Sequence, residues 1–567
     1  MVKLNGAEAL VRALRAEQVP YVFGIVGGKL ARFFHALSRE PAIRFVGVRH
    51  EGAGPIMGAA VSASTGRVAV AVGEMGPGAA NLLSGAGGAR NNSLPLVLVT
   101  SSQHRAAGYP FRGMFMDLDT QTAARAFTKW SAVVSDGRRI PELVRTAFRE
   151  ALTGRPGPVH LDVPQDVFAA EHEFADDEFD LPPPRYRPVA GPEPAEALVA
   201  EAADLLAAAK KPLLVAGGGV VAAGAAAAFR ELAALLNAPA VSTQMALGVI
   251  PTASRHFVGH GGIIGGEALM QAFREADVVL AAGCRFSSWL WDEKGPLVRR
   301  SQRLINVNTD ASALGEPAFH AVGIHADARA ALPKLVAAVR STTGLAGAPE
   351  WLRGLRETDA AYRRKLAALA DDAGPVMHPA TLAREIAECL PADALAVYDG
   401  GHTSFWSNDF TPVHDVRTRF HEPGMSQLGF GLPHALALKL AYPDRAVFNL
   451  TGDGSFGFTL QELDTARRYG LPVVNVIHDN QAWGIIRAGQ KAALDFSFGA
   501  DLEGTDYAAI ARGFGCHGEL VIRREEIGPA VERALASRLP AVIDCRTRFE
   551  PHPAMPAFGR MNAYGYP

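Results

Sequence analysis

The chain has 567 residues, with 56 Lys and Arg against 58 Asp and Glu and a formal net charge of −2. That length exceeds a single hydrophobic core and predicts about three domains. The near-neutral balance provides no electrostatic footprint for nucleic acid or a membrane surface, and no apolar run is long enough to cross a bilayer.

In chain order, Met1-Val2-Lys3-Leu4-Asn5-Gly6 runs into an amphipathic helix and lacks a signal-peptide pattern. The first segment, 1–170, alternates helical stretches with buried-type strands at 21–24, 68–72 and 96–100. A strand-like run at 43–49 leads to Glu51, and small residues follow it, among them Gly52, Ala53, Gly54 and Gly58. A Glu in that place is either a favourable dipole partner for a helix start or a functional acid. Gly76-Pro77-Gly78 with Asn81 reads as a strand-to-helix turn. The acidic stretch 171–180 and Pro182-Pro183-Pro184 mark a linker.

The second segment, 190–340, has strands near 212–216, 277–281 and 304–308. Gly217-Gly218-Gly219 follows the first of them but does not complete Gly-x-Gly-x-x-Gly, so it decides little about a nucleotide. A charged helix within 344–372 connects to the third segment, 376–550. The tail, 551–567, is rich in Pro, Gly and aromatics and is a candidate lid. Cys284, Cys389, Cys516 and Cys545 show no paired spacing and read as buried thiols of a reducing, cytoplasmic compartment.

The third segment carries the strongest signal. Asp453 lies in Gly452-Asp453-Gly454-Ser455 after the apolar run 446–450, and Asn480 ends a second apolar run. Between them Leu460, Leu463 and Ala466 keep helical spacing. The pattern is strand, Gly turn, helix, strand. In a right-handed parallel unit both strand ends point the same way, so both oxygen-bearing side chains face the crevice where open α/β sheets bind ligands. A carboxylate, an amide oxygen and a backbone carbonyl make a half-cage for Mg²⁺, which takes phosphate oxygens for its remaining positions. Gly454 lets the backbone approach a phosphate, Ser455 can donate to one, and the helix N-terminus adds favourable potential. An ordinary turn, with Asp and Asn satisfying local backbone groups, is the plain alternative; the spacing favours the ion site.

The run from Gly452-Asp453-Gly454-Ser455 to Asp479-Asn480 resembles the cofactor motif of thiamine-diphosphate (ThDP) enzymes. It is similar to the group of acetolactate synthase, benzaldehyde lyase, oxalyl-CoA decarboxylase and 2-hydroxyacyl-CoA lyase. The resemblance covers nearly the whole chain. It implies three doubly wound, parallel-sheet α/β domains that bind the pyrimidine, serve as a central domain and bind the diphosphate. It implies that Asp453, the Asn480 side chain and the Ala482 carbonyl bind Mg²⁺. Arg49-His50-Glu51 resembles the segment carrying the acid that activates the cofactor through its ring nitrogen. A carboxyl that shares a proton at neutral pH calls for an apolar setting. Gly424-Met425-Ser426-Gln427-Leu428-Gly429 resembles the segment that bends the cofactor, with Leu428 as wedge and the Ser426 carbonyl as acceptor. Leu428 could equally be plain core. Gly400-Gly401-His402-Thr403 would contact the diphosphate, and Gly76 with Asn81 would line the matching turn of the first domain. The central domain of such enzymes holds FAD, ADP or CoA, or nothing. The first domain of one subunit faces the third domain of another, so a homodimer or homotetramer with shared sites is implied.

The resemblance also implies the reaction class: a ThDP-dependent C–C bond lyase or carboligase, acting on a 2-oxo acid or 2-hydroxy carbonyl substrate through an enamine–carbanion. Ile485 and Ile486, after the metal loop, stand where relatives place substrate-facing residues, or simply pack beneath it; Trp483 precedes them. An aliphatic pair favours carboligation or cleavage over simple protonation. Gly429-Phe430-Gly431-Leu432-Pro433 and Gln461-Glu462-Leu463 make acetolactate synthase the nearest match. Three departures stand against it. Phe115-Met116-Asp117 replaces Phe-Gln-Glu, Gly489 stands near the usual Trp, and Arg285-Phe286-Ser287-Ser288 replaces Arg-Phe-Asp-Asp. They suggest a different or bulkier substrate and keep 2-hydroxyacyl-CoA lysis or oxalyl-CoA decarboxylation as the alternative. Lys29 is a candidate substrate-facing cation or an exposed lysine, Glu74 a candidate pocket acid, and Met116 a candidate wall. A catalytically silent ThDP-binding paralogue is the reading of another class, and retention of Glu51 argues against it.

Overall fold

The computed structural model describes residues 1–108, 113–292, 294–315, 320–342, 347–555 and 558. The tail residues 556, 557 and 559–567, part of the expected lid, lie outside them.

Three six-stranded sheets organise the described chain, and every neighbouring pair within them is parallel. The first sheet runs Arg44–Gly47, Tyr21–Gly24, Val70–Gly73, Leu96–Ser102, Pro158–Pro164, Trp130–Val133. The central sheet runs Phe257–His260, Ala240–Ser242, Pro212–Ala216, Val278–Ala282, Arg303–Asn308, His320–His325. The third runs Arg419–His421, Leu395–Tyr398, Val447–Gly452, Val474–Asp479, Ala541–Arg546, His517–Val521. Their inner strands are near-continuous apolar runs because helices cover both faces of a parallel sheet. Val70–Gly73 and Pro158–Pro164 are buried at every residue.

The first and third sheets share one strand order, and it differs from that of the central sheet. Each has a point where connections change direction, between its two earliest flanking strands, and ligands of open α/β sheets bind there. In the third sheet that point lies between Leu395–Tyr398 and Val447–Gly452. In the first it lies between Tyr21–Gly24 and Val70–Gly73.

The chain divides into two compact units. The first comprises Met1–Ala190, Gly424–Pro443 and Thr459–Leu471; the second comprises Gly191–Pro423, Asp444–Phe458 and Pro472–Pro567. The helix Gly431–Ala441 is apolar almost all round and packs in the first unit against Ala53–Thr65. Tyr442 donates to the Ser64 carbonyl beside it (2.8 Å). Helices that are apolar on every side are buried on every side.

Two local expectations change. The opening residues form a strand, Val2–Asn5, before the helix Gly6–Ala16. Its antiparallel partner is Glu171–Phe174, inside the stretch expected as linker. Phe174 and Phe179 are buried in the first unit's core; two aromatics outweigh the acidic composition that hid them. Cys284, Cys516 and Cys545 are buried, whereas Cys389 is half-buried, and the four form no disulfide.

Candidate active site

In the second unit, Gly452 pairs with His478 in parallel register. The two strands therefore end side by side, and Asp453 follows one while Asn480 follows the other. The Ala482 amide donates to Asp453 Oδ2 and to Asn480 Oδ1, 3.1 Å each. Gln481 between them takes a left-handed φ of 55°, a conformation a non-glycine residue holds where its surroundings require it. Asp453 Oδ1 accepts from the Gly454 amide at 2.9 Å, and the Asp453 carbonyl accepts from Tyr507 Oη at 2.8 Å.

Asp453 is 3% exposed. Burial, then the negative charge of Asp479, pushes its carboxyl up to about 7. Asp479 itself is paired with Arg546 at 2.9 Å. A cation beside Asp453 would offset both effects. Among the described residues no group of three or more His, Cys, Asp or Glu is gathered to hold a metal alone. An ion here must complete its shell from amide, carbonyl and phosphate oxygens, as Mg²⁺ does.

The loop after Leu395–Tyr398 lies against this pair. Gly400 has φ 85°, and a Cβ there would stand 2.8 Å from Ser455 Oγ. A Cβ on Gly401 would meet Ile485 at 2.9 Å, and one on Gly454 would meet the Trp483 ring at 2.5 Å. On Gly484 it would stand 2.9 Å from both Asn480 Nδ2 and His402 Nδ1. His402 and Thr403 are buried in the first turn of Gly401–Phe410, and neither His402 ring nitrogen has a hydrogen-bond partner. Burial holds the His402 imidazole neutral, down to about 3. The structure thus brings Gly401, His402, Thr403, Asp453, Gly454, Ser455, Asn480, Ala482, Trp483 and Ile485 together. Ile486, on the same helix as Ile485, is 48% exposed. Phe549, just before the tail, lies 6.0 Å from the His402 ring, and Met555 of the tail joins a cluster with Phe405 and Ala488.

In the first unit, Glu51 sits in the turn between Arg44–Gly47 and Ala53–Thr65 and is half-buried. Its Oε2 accepts from Asn81 Nδ2 at 3.0 Å. The small residues near it have a packing reason: a Cβ on Gly85 of the helix Pro77–Asn92 would stand 2.0 Å from the Gly52 carbonyl oxygen. Glu74 Oε1 accepts from the Lys29 amide at 2.5 Å, so the acid caps the short turn Gly28–Leu30. The Lys29 ammonium donates to Gln165 at 3.2 Å. Met116 takes φ 64° and presses on Gly76, itself at φ 68°, where a Cβ would stand 2.9 Å away. The segment with Ser426 and Leu428 docks on the end of Pro77–Asn92, since Asn91 Nδ2 donates to the Gly424 carbonyl at 3.0 Å. Ser426 is exposed with φ 52°, and Leu428 is half-buried, outside the core.

Three relatives match along nearly the whole chain. The acetolactate synthase large subunit of Corynebacterium glutamicum is 30% identical over 551 residues, covering 96% of this chain and 86% of the relative. The acetolactate synthase of Mycobacterium bovis is 30% identical over 558 residues, 96% and 88%. The acetolactate synthase isozyme 2 large subunit of Escherichia coli is 29% identical over 550 residues, 95% and 95%. Family models of thiamine pyrophosphate enzymes match in order: the N-terminal TPP binding domain over 4–124, the central domain over 199–335 and the C-terminal TPP binding domain over 399–545. The chain belongs to the thiamine pyrophosphate enzymes. Within that family its likeness is to acetolactate synthase large subunits.

Three residues of this thiamine pyrophosphate enzyme have contacts that no reading of the sequence assigned to them. Asp479 and Tyr507 adjoin Asp453 as described. Glu462 is 0% exposed and takes the amides of Arg49 and His50; in the sequence it stands only as a member of Gln461-Glu462-Leu463. The triglycine also finds a reason. A Cβ on Gly217 would stand 2.1 Å from the Gly283 carbonyl oxygen, so the loops leaving two neighbouring strands of the central sheet meet at backbone contact. Among the described residues no helix is long and apolar enough to cross a membrane.

Proposed function

We propose that this chain is a ThDP- and Mg²⁺-dependent C–C bond lyase or carboligase of the acetolactate-synthase kind, acting on a 2-oxo acid or 2-hydroxy carbonyl substrate. The observation that carries this reading is the Ala482 amide shared by Asp453 and Asn480 at the carboxyl ends of two neighbouring strands of the third sheet, the first of which borders the point where its connections change direction. When bound, ThDP supplies a nucleophilic carbon and an electron sink for breaking a bond next to a carbonyl.

The protein's part is to bind, orient and move a proton. Asp453, the Asn480 side chain and the Ala482 carbonyl hold the ion. Gly401, His402, Thr403, Gly454 and Ser455 hold the diphosphate, and neutral His402 adds no charge to repel the metal. Glu51, steadied by Asn81, holds a proton at the ring nitrogen of the cofactor. The Ser426 carbonyl accepts from the cofactor's amine, Leu428 wedges the bend, and Gly76 lines the turn beside them. Trp483, Ile485 and Ile486 face the substrate from one side. Lys29, Glu74 and Met116 shape the other side, with Glu74 acting through the turn it caps.

The domains run 1–170, 190–340 and 376–550. The chain works in the cytoplasm as a homodimer or homotetramer that shares its sites.

The test is one substrate panel on the protein with ThDP and Mg²⁺: pyruvate, aromatic hydroxyketones, oxalyl-CoA and 2-hydroxyacyl-CoA. Conversion of pyruvate to acetolactate is the expected result. Release of formyl-CoA instead moves the assignment to the CoA thioester group. No turnover of any, together with no deuterium exchange at the cofactor's C2, makes the chain a silent paralogue.

A further inference from the structure

The turn that carries Glu51 is held by one helix from far along the chain. Glu462, in the first turn of Glu462–Tyr469, belongs to the same compact unit as Glu51. Its Oε1 accepts from the Arg49 amide at 3.0 Å and the His50 amide at 3.1 Å. Its Oε2 accepts from Arg49 N at 3.2 Å and from Thr465 Oγ1 at 2.6 Å. Two more residues of the same helix grip Gly47, two residues before Arg49. Tyr469 Oη accepts from the Gly47 amide at 2.6 Å, and Arg468 Nη2 donates to the Gly47 carbonyl at 2.7 Å. The backbone from Gly47 to His50 is thus tied on both sides immediately before Glu51.

A buried carboxylate is a costly way to satisfy two amides that a surface turn would leave to water. Burial pushes the Glu462 carboxyl up to about 6, and the amide donors offset part of that cost with charge-assisted bonds. What the arrangement secures is direction. A reacting group must be held to within about 0.5 Å, and its supporting shell decides whether it is.

We propose that Glu462 is a positioning residue for Glu51: by taking the Arg49 and His50 amides on one carboxylate, it fixes the turn that aims the Glu51 carboxyl at the cofactor. This rests on the role assigned to Glu51 above.

The test compares wild type, Glu462→Gln, Tyr469→Phe and Glu51→Gln, each as the full chain with Mg²⁺ and ThDP. Three quantities are read: ThDP affinity, the rate of C2 deuterium exchange on the bound cofactor, and amide hydrogen exchange over residues 45–52. For Glu462→Gln the expected result is C2 exchange slowed about tenfold or more, loss of amide protection at 49 and 50, and ThDP affinity within about threefold of wild type. Tyr469→Phe keeps the half-buried ring and loses one hydroxyl. It is expected to slow C2 exchange about threefold and to expose the Gly47 amide. Wild-type C2 exchange in both variants overturns the proposal, as does a rate loss that only tracks loss of ThDP binding. If Glu51→Gln itself exchanges at the wild-type rate, the reading of Glu51 falls and this proposal with it. If only Glu51→Gln is impaired, the proposal falls alone.

Discussion

Asp453 Oδ2 and Asn480 Oδ1 both point at the hydrogen of the Ala482 amide, 3.1 Å from its nitrogen. Two acceptors from two strands converge on one donor, which fixes the two oxygens relative to each other. If they hold the proposed ion, that fixed spacing leaves little reorganisation to be charged against binding.

Asp453→Ala is expected to lose Mg²⁺-dependent ThDP binding by on the order of 100-fold, as removal of a metal ligand or its support does. Trp483, whose ring covers Gly454, supplies a fluorescence signal for the titration. Tight binding by this variant would place the metal site elsewhere.

Glu51→Gln is expected to bind Mg²⁺–ThDP as wild type does and to lose C2 deuterium exchange by about 100- to 10,000-fold, the range of a general acid–base group. Proton NMR of quenched samples follows the exchange. Unchanged exchange removes the mechanism proposed for Glu51.

Gly484→Ala adds a methyl group 2.9 Å from Asn480 Nδ2 and His402 Nδ1. The expected result is about tenfold weaker ThDP binding, or roughly 1.4 kcal/mol, with the thermal midpoint little changed, because the methyl displaces site residues rather than core. Calorimetric titration beside a melting curve separates the two, and equal loss in both would show a general folding defect.

His434 in Gly431–Ala441 is held neutral by burial, down to about 3. A group whose folded value is depressed contributes stability above its unfolded value, near 6.5, that is lost as pH falls toward the folded one. Between pH 7 and pH 5 it accounts for on the order of 2 kcal/mol. His434→Gln should therefore lose less stability over that interval than wild type, by about that amount, in urea titrations at the two pH values. Parallel losses in both proteins would contradict this account.

The strand–turn–helix–strand unit from 446 to 480 was legible because it is local: apolar runs, a Gly-Asp-Gly turn and helical spacing lie within one stretch of chain. The Val447–Gly452 and Val474–Asp479 strands and the Glu462–Tyr469 helix lie where that pattern predicts. Gly400 and Gly401 were legible as motif members, but the reason for the glycine at 400 was not. Gly400 is required by Ser455, and Gly484 by His402 and Asn480 together. Lys29 and Glu74 were each a bare charge in sequence. Only coordinates show that the acid takes the Lys29 amide while the ammonium turns to Gln165.

Periodicity and motif spacing are short-range properties, so the three α/β sheets, the strand ends that carry Asp453 and Asn480 and the family itself could be read from the amino acids alone. The bonds from Glu462 to Arg49 and His50 span more than four hundred residues, and no local pattern encodes them. Their partners are backbone amides, which every residue but proline has, so no side-chain identity marks them in advance. That contact, like the burial that shifts Asp453 and His402, exists only once the chain has folded and excluded water.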